Sequence, residues 1–154
     1  MDLINRFENY FAFLRNFHEC TVTYEDLEYP SSENAYQAAK ICVPGDLTST
    51  NILRVNAGFT LVSPAEAKKR GRIVKLRVDW DAVKDKVMYE ILCAKFSQNP
   101  ELAEELRLTY PAVLVEGNYW HDNYWGKCNC AKCSFKEGKN KLGIKLMRVR
   151  NEYL

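Results

Sequence analysis

Proline placement constrains this chain more than any other feature. Its five prolines cut it into short segments: Pro30 ends one, Pro44-Gly45 closes the next, Ser63-Pro64 and Asn99-Pro100 open two more, and Pro111 follows the last of these. Proline fits the first turn of a helix but cannot continue one, so each segment must be a short element with its own start and stop. The pattern predicts a helix in SSENAYQAAKIC running to Pro44, and a second over 50–59. A third starts at Pro64, with Ser63 and Glu66 as a capping box, and stops near Gly71. The strongest helical periodicity starts from Asp79 as N-cap and sets Val83, Val87, Ile91 and Ala94 on one face up to about Phe96. A helix after Pro100 buries Leu102 and Leu106, and a closing helix in LGIKLMRVR turns Leu142, Leu146 and Val149 inward. Extended signals sit in FAFLRNF, in TVTYEDLEY around a Glu25-Asp26 bend, and in AVLVE at 112–116. The expected class is α+β: one predominantly helical domain over 1–154 with a small β element.

At 154 residues and 47% hydrophobic, the chain can bury one substantial core. No apolar run reaches 18 residues, and MDLINRFENYFAF lacks the basic start and continuous apolar segment of a secretion signal. The expectation is a cytoplasmic protein with no membrane partner. Its six cysteines do not form the evenly spread framework of a disulfide-stapled domain, so reduced thiols are expected. Cys42 and Cys93 fall in helical patterns and read as small buried residues.

Three places depart from a plain core pattern. At helical spacing Glu33, Tyr36, Gln37 and Lys40 share one stripe, which is either a solvated face or the wall of a site. Trp80 starts a helix between two acids, where an indole either staples the core or meets a flat ligand. Asp122 lies among Tyr119, Trp120, Tyr124 and Trp125, as a turn former or as a carboxylate in an aromatic cleft. Two carboxylates in such a cleft suit cleavage of a glycosidic bond, because the transition state is oxocarbenium-like and one acid stabilises it while another orients water. Cys128-x-Cys130-x-x-Cys133 offers three thiolates for a structural zinc, with His121, His18 or a distant cysteine as the fourth ligand; catalysis itself needs no cofactor. From Lys127 to Arg150 eight Lys and Arg residues stand against Glu137 alone. That segment suits phosphate or nucleic acid, or is a solvated surface.

Taken together, RNF (15–17), YPSSENAYQAAK (29–40), EAKKRGR (66–72), DWDAVKDKVM (79–88), KFSQNPEL (95–102), LVE with HDNYWG (114–126) and GKNKLGIKLMRVR (138–150) resemble the NADAR, or YbiA-like, superfamily in family order. The resemblance implies an N-glycosidase that releases ribose from a base or amine. Its substrate would be ADP-ribosylated guanine, in nucleic acid or as a nucleotide, or else a ribosylamino-pyrimidine phosphate of riboflavin synthesis. It also implies that Glu33, Trp80 and Asp122 are catalytic. Lys40 joins them on a route in which the opened ribose forms a Schiff base. By the same likeness Asn16, Phe17, Gln37, Arg72, Tyr124, Trp125, Gly126, Asn140 and Gly143 bind substrate. Two departures bear on substrate choice: Asn34-Ala35-Tyr36 replaces the family's His-Tyr-Phe, and KCNCAKC follows Trp125-Gly126. A binding module for ADP-ribose or nucleic acid, without catalysis, is the rival class.

Overall fold

Glu25 and Asp26 both take left-handed backbone angles, φ 48° and 69°, and this two-residue reversal matches the twist of the strands on either side. It joins strands β2 (Glu19–Tyr24) and β3 (Leu27–Ser31) as an antiparallel hairpin with Tyr24 opposite Leu27. Pro30, expected to end the extended stretch, lies inside β3. In the computed structural model, which describes residues 2–154, this hairpin belongs to a unit formed by Asn16–Asn99, and a second unit combines Met1–Arg15 with Pro100–Leu154.

In the first unit, Ser31 accepts the Asn34 N–H at 3.1 Å and starts α1 (Ser32–Ala38). The helix stops well short of Pro44, so Cys42 lies outside it and is half-buried, contrary to expectation. The cause is Arg54, whose side chain is 1% exposed. Its Nε donates to the carbonyls of Ala38 (3.0 Å) and Ile41 (3.2 Å), and its Nη2 donates to Ile41 again at 3.0 Å. A fixed guanidinium fork thus takes carbonyls that further turns of helix would have used.

Arg54 projects from α2 (Leu47–Asn56), which starts three residues before the expected Thr50 because Asp46 caps the Ser49 N–H at 2.9 Å. α3 (Pro64–Gly71) follows the proline rule, with Ser63 accepting from Glu66 N at 3.2 Å. The Glu66 carboxylate turns to Arg70 (3.1 Å), so only the serine half of the capping box forms. Asp79 occupies the N-cap position of α4 (Trp80–Gln98) without capping it. Arg77 holds both of its oxygens, at 2.6 and 3.1 Å. Along α4, Val87 and Ile91 are buried as expected, while Val83, Ala94 and Cys93 are half-buried. Ile91, Leu92 and Phe96 reach 0% exposure, each contributing about 1.5–3 kcal/mol of apolar burial. Lys95, also at 0%, lays its amine 5.3 Å from the Phe96 ring centroid, and burial lowers its pKa to about 8. Gln98 bonds both the N–H and the carbonyl of Thr23, at 2.7 and 2.9 Å, and so ties the end of α4 to β2.

In the second unit, β1 (Leu3–Ile4) pairs in parallel with β4 (Val113–Leu114), and β5 (Gly117–Asn118) with β6 (Lys127–Cys128). FAFLRNF (11–17), expected to be extended, begins inside a 3₁₀ helix, Asn9–Leu14. It buries the neighbours Phe13 and Leu14 together, which a strand with one buried face cannot do. α5 (Pro100–Leu108) and α6 (Lys141–Arg150) turn Leu102, Leu106, Leu142, Leu146 and Val149 inward, as the periodicity predicts. Arg150 leaves the expected basic surface. It is 4% exposed and donates to Thr109 Oγ1 (3.0 Å) and the Ala112 carbonyl (2.8 Å). The α+β, mainly helical class holds. Among the described residues no helix is long and apolar enough to cross a membrane.

Replacing Arg54 by Leu strips the Ile41 carbonyl of its guanidinium donors and leaves the Ala38 carbonyl only the Ile41 N–H, and is expected to cost ~3 kcal/mol or more of unfolding free energy in urea titration. Arg54→Lys recovers only part, since an ammonium cannot reproduce the fork.

Candidate active site

The buried face of α1 is polar. Glu33 (7% exposed), Asn34 (0%) and Gln37 (5%) lie among Ala35, Ala38 and Ala39, and burying such groups requires partners. Asn34 is anchored in the fold: its amide donates to the carbonyls of Phe59 (2.9 Å) and Val62 (2.8 Å). Glu33 is held from two sides. Its N–H donates to the Asn16 carbonyl at 3.0 Å, and its Oε1 accepts from Gln37 Nε2 at 2.9 Å. The stripe read from the sequence is thus a hydrogen-bonded wall, which excludes the solvated-face reading for these two residues.

The Gln37 amide oxygen, buried without a hydrogen-bond partner, lies close over Gly71 at the end of α3. A β-carbon there would collide with Gln37 Oε1, so glycine is what lets α3 close over the amide. Lys40 lies past the end of α1, where its Nζ reaches the Gly71 carbonyl at 3.3 Å and stands 6.0 Å from the Tyr36 ring centroid. Its pKa is lowered chiefly by burial. Glu33 acts in the opposite sense, and the positive charges of Arg72 and Lys68 lower it further. Arg72 is exposed at the C-cap of α3. Lys68 was not singled out in the sequence; it sits 5.8 Å from the ring centroid of Phe17. Asn16, beside Phe17, accepts Ser32 Oγ at 3.0 Å through Oδ1 and donates to Met88 Sδ at 3.6 Å. Trp80 is 6% exposed and meets Tyr36 with centroids 5.1 Å apart at 57°. It therefore props a member of the stripe. Asn16, Phe17, Glu33, Gln37, Lys40, Arg72 and Trp80 all belong to the Asn16–Asn99 unit.

The other predicted residues belong to the second unit. Asp122 Oδ1 accepts the N–H groups of Tyr124 (3.0 Å) and Trp125 (2.9 Å), the turn-forming arrangement that the sequence left open as one alternative. Tyr124 and Trp125 meet edge to face at 4.8 Å. Lys139 and Lys141 stand 5.5 and 5.1 Å from the Tyr124 centroid, and Lys145 stands 5.6 Å from Trp125. This is a cationic, aromatic face suited to anions with flat rings. Asn140 is a joint: its Oδ1 accepts from Glu116 N (3.0 Å) and its Nδ2 donates to the Leu114 carbonyl (2.9 Å). Gly143 lets α6 approach that same carbonyl. Gly126 packs against Glu116, a carboxylate that sequence reasoning passed over, although it closes the LVE motif. Asn118 Nδ2 donates to it at 3.1 Å. The three clustered cysteines do gather a fourth donor, His121, with all four ligand atoms within 4.8 Å of one another.

The NADAR domain family matches residues 5–154. N-glycosidase YbiA of Escherichia coli K12 is 36% identical over 139 residues, covering 89% of this chain and 78% of that protein. The riboflavin biosynthesis protein PYRR of Arabidopsis thaliana is 42% identical over 101 residues, covering 62% of this chain and 16% of that protein. The NMR structure of the E. coli protein YbiA superposes with a TM-score of 0.77 at 32% identity, covering 99% of this chain and 85% of that one.

Gly71→Ala should displace Gln37 and free Glu33 from its amide. The expected result is a loss of turnover of ~10-fold or more at nearly unchanged KM, measured by single-turnover kinetics, which separate chemistry from binding.

Proposed function

The chain belongs to the NADAR domain family and is a hydrolase of N-glycosyl bonds, and from that premise we propose that it cleaves the bond between ribose and nitrogen in ADP-ribosylated guanine. The observation that carries this reading is the Glu33 wall: a carboxylate at 7% exposure, aimed by Gln37 at 2.9 Å. Such a group suits stabilisation of an oxocarbenium-like centre and removal of a proton from attacking water. In the step, water oxygen bonds to the anomeric carbon, the carbon–nitrogen bond breaks with its electron pair passing to nitrogen, and nitrogen is reprotonated as the base leaves. Arg72 and Lys68, the cations that act on Lys40, suit the phosphates of the ligand. Asp122 is proposed as a second essential carboxylate. Lys139, Lys141 and Lys145 around Tyr124 and Trp125 favour a polynucleotide or pyrophosphate over a monophosphate.

A second substrate is favoured by the relatives named for riboflavin biosynthesis: a ribosylamino-pyrimidine phosphate, cleaved at the same type of bond. Lys40 also supports a covalent variant for either substrate. Its lowered pKa increases the share of free amine that can condense with an opened ribose.

Incubating the purified protein with DNA bearing ADP-ribosylated guanine, and separately with the ribosylamino-pyrimidine phosphate, decides the substrate by mass spectrometry of the released base or amine. Glu33→Gln and Asp122→Asn are each expected to lower kcat by ~100-fold or more with an unchanged melting temperature. Retained binding with no release from either substrate would instead fit a binding module. Borohydride added during turnover leaves a ribose adduct on Lys40 if the ring-opened route operates. Because the amine's pKa is lowered, trapping should persist to lower pH than for an ordinary lysine, near 10.4, and should fade as acid protonates it. Turnover retained in Lys40→Met without any adduct marks direct attack by water.

A further inference from the structure

The loop between β5 and β6 and the turn after it carry a feature that hydrolysis does not use. We propose that His121, Cys128, Cys130 and Cys133 bind one structural zinc ion. His121 Nδ1 stands 3.3 Å from Cys130 Sγ, 3.4 Å from Cys133 Sγ and 3.9 Å from Cys128 Sγ. In a tetrahedron with Zn–S of about 2.3 Å and Zn–N of about 2.0 Å, nitrogen–sulfur edges are about 3.5 Å and sulfur–sulfur edges about 3.8 Å. The three measured edges bracket the first value, and the 4.8 Å limit over all four donors leaves room for the second. All three cysteines are free thiols.

The local backbone is shaped to bring these atoms together. Cys128 lies on β6, where its N–H donates to Asn123 Oδ1 at 3.0 Å. The Cys130 N–H points at Cys128 Sγ at 3.5 Å, a donor that would stabilise a thiolate. A 3₁₀ turn, closed by Cys133 N to the Cys130 carbonyl at 3.1 Å, swings the last sulfur back. His121 takes φ 69°, a left-handed conformation costing roughly 1 kcal/mol for a residue with a β-carbon, and its imidazole faces the three sulfurs.

The donor set selects the metal. Three thiolates and one imidazole are soft, nitrogen–sulfur ligands that suit zinc, whereas calcium and magnesium take oxygen. Four protein ligands leave no open position, so the ion is structural. Buried Cys128 and Cys133 shield one side of it from water. On binding, each thiol gives its proton to solvent, and zinc with three thiolates carries one net negative charge. Exposed Lys127 on β6, with exposed Lys132 and Lys136 in the segment that follows, lies near in sequence to offset it. The ion would cross-link residue 121 to residue 133 and so pin the turn that holds Asp122 and the Tyr124-Trp125 pair. The N–H groups of Lys139 to Leu142 already fasten residues 123–126 from the side of α6, and the ion would fasten the cysteine side of the same segment.

The test is elemental analysis of protein purified without chelator from zinc-supplemented culture, expected to give about one zinc per chain. Less than ~0.2 equivalents, or a stoichiometric metal other than zinc, overturns the proposal. Cys133→Ser and His121→Ala should lose the zinc, and Cys93→Ser, which alters a thiol outside the cluster, should keep it. Should the ligand variants fail to fold, cobalt substitution of the wild type decides. Intense visible bands of tetrahedral cobalt with sulfur-to-metal charge transfer support the site, and a weak octahedral spectrum overturns it. Stripping zinc should also speed trypsin cleavage after Lys132 and Lys136 at least several-fold, and an unchanged cleavage rate would mean that no ion pins the loop.

Discussion

A helix rich in alanine and bounded by good caps would ordinarily run on until a proline stopped it. Here it is stopped earlier, by an arginine reaching in from the next helix to take the carbonyls of Ala38 and Ile41. The arrangement of Glu33, Gln37 and Lys40 depends on that interruption. With the helix ended, the chain turns at Lys40 and its carbonyl accepts the Arg77 N–H at 2.9 Å. The lysine amine then turns back toward Gly71 instead of pointing away along the axis. One buried cation therefore sets the position of a second, half-buried one.

Electrostatics in this unit then follow from geometry. Lys40 is desolvated between a carboxylate that favours its charge and two cations that oppose it, so its protonation state is sensitive to what enters. A negative group brought beside Arg72 and Lys68 would offset their opposition and favour the ammonium.

Much of this was legible in the sequence where local rules dominate. Ser63-Pro64 opened a helix because proline at the first turn has no rival reading, and the inward faces of α5 and α6 followed from their period. The polar stripe of α1 was visible for the same reason, and so was the cysteine cluster. What could not be read were choices settled by distant partners. Asp79 fails as a cap because Arg77 takes its carboxylate. The FAFLRNF segment coils because Phe13 and Leu14 must both be buried. α1 ends where Arg54, sixteen residues on from Ala38, supplies its donors. Asn140 and Gly143 looked like ligand contacts from their motif, yet their immediate duty is to seat α6 against the backbone of β4. Lys68 and Glu116 carried no sequence signal apart from the motifs that contain them.

The amine of Lys95, sealed within the hairpin-bearing unit at 0% exposure, has a further consequence. Most of the other lysines meet solvent and react freely with an acylating reagent, whereas this one reacts only when α4 lifts from its surroundings. The rate at which Lys95 becomes labelled, read beside the rates of its exposed neighbours, is an internal clock for the opening of the unit that holds Glu33. Burial lowers the pKa of the amine to about 8 in the closed unit, and once opened it ionises as its exposed neighbours do, so the ratio of their labelling rates at one pH isolates access.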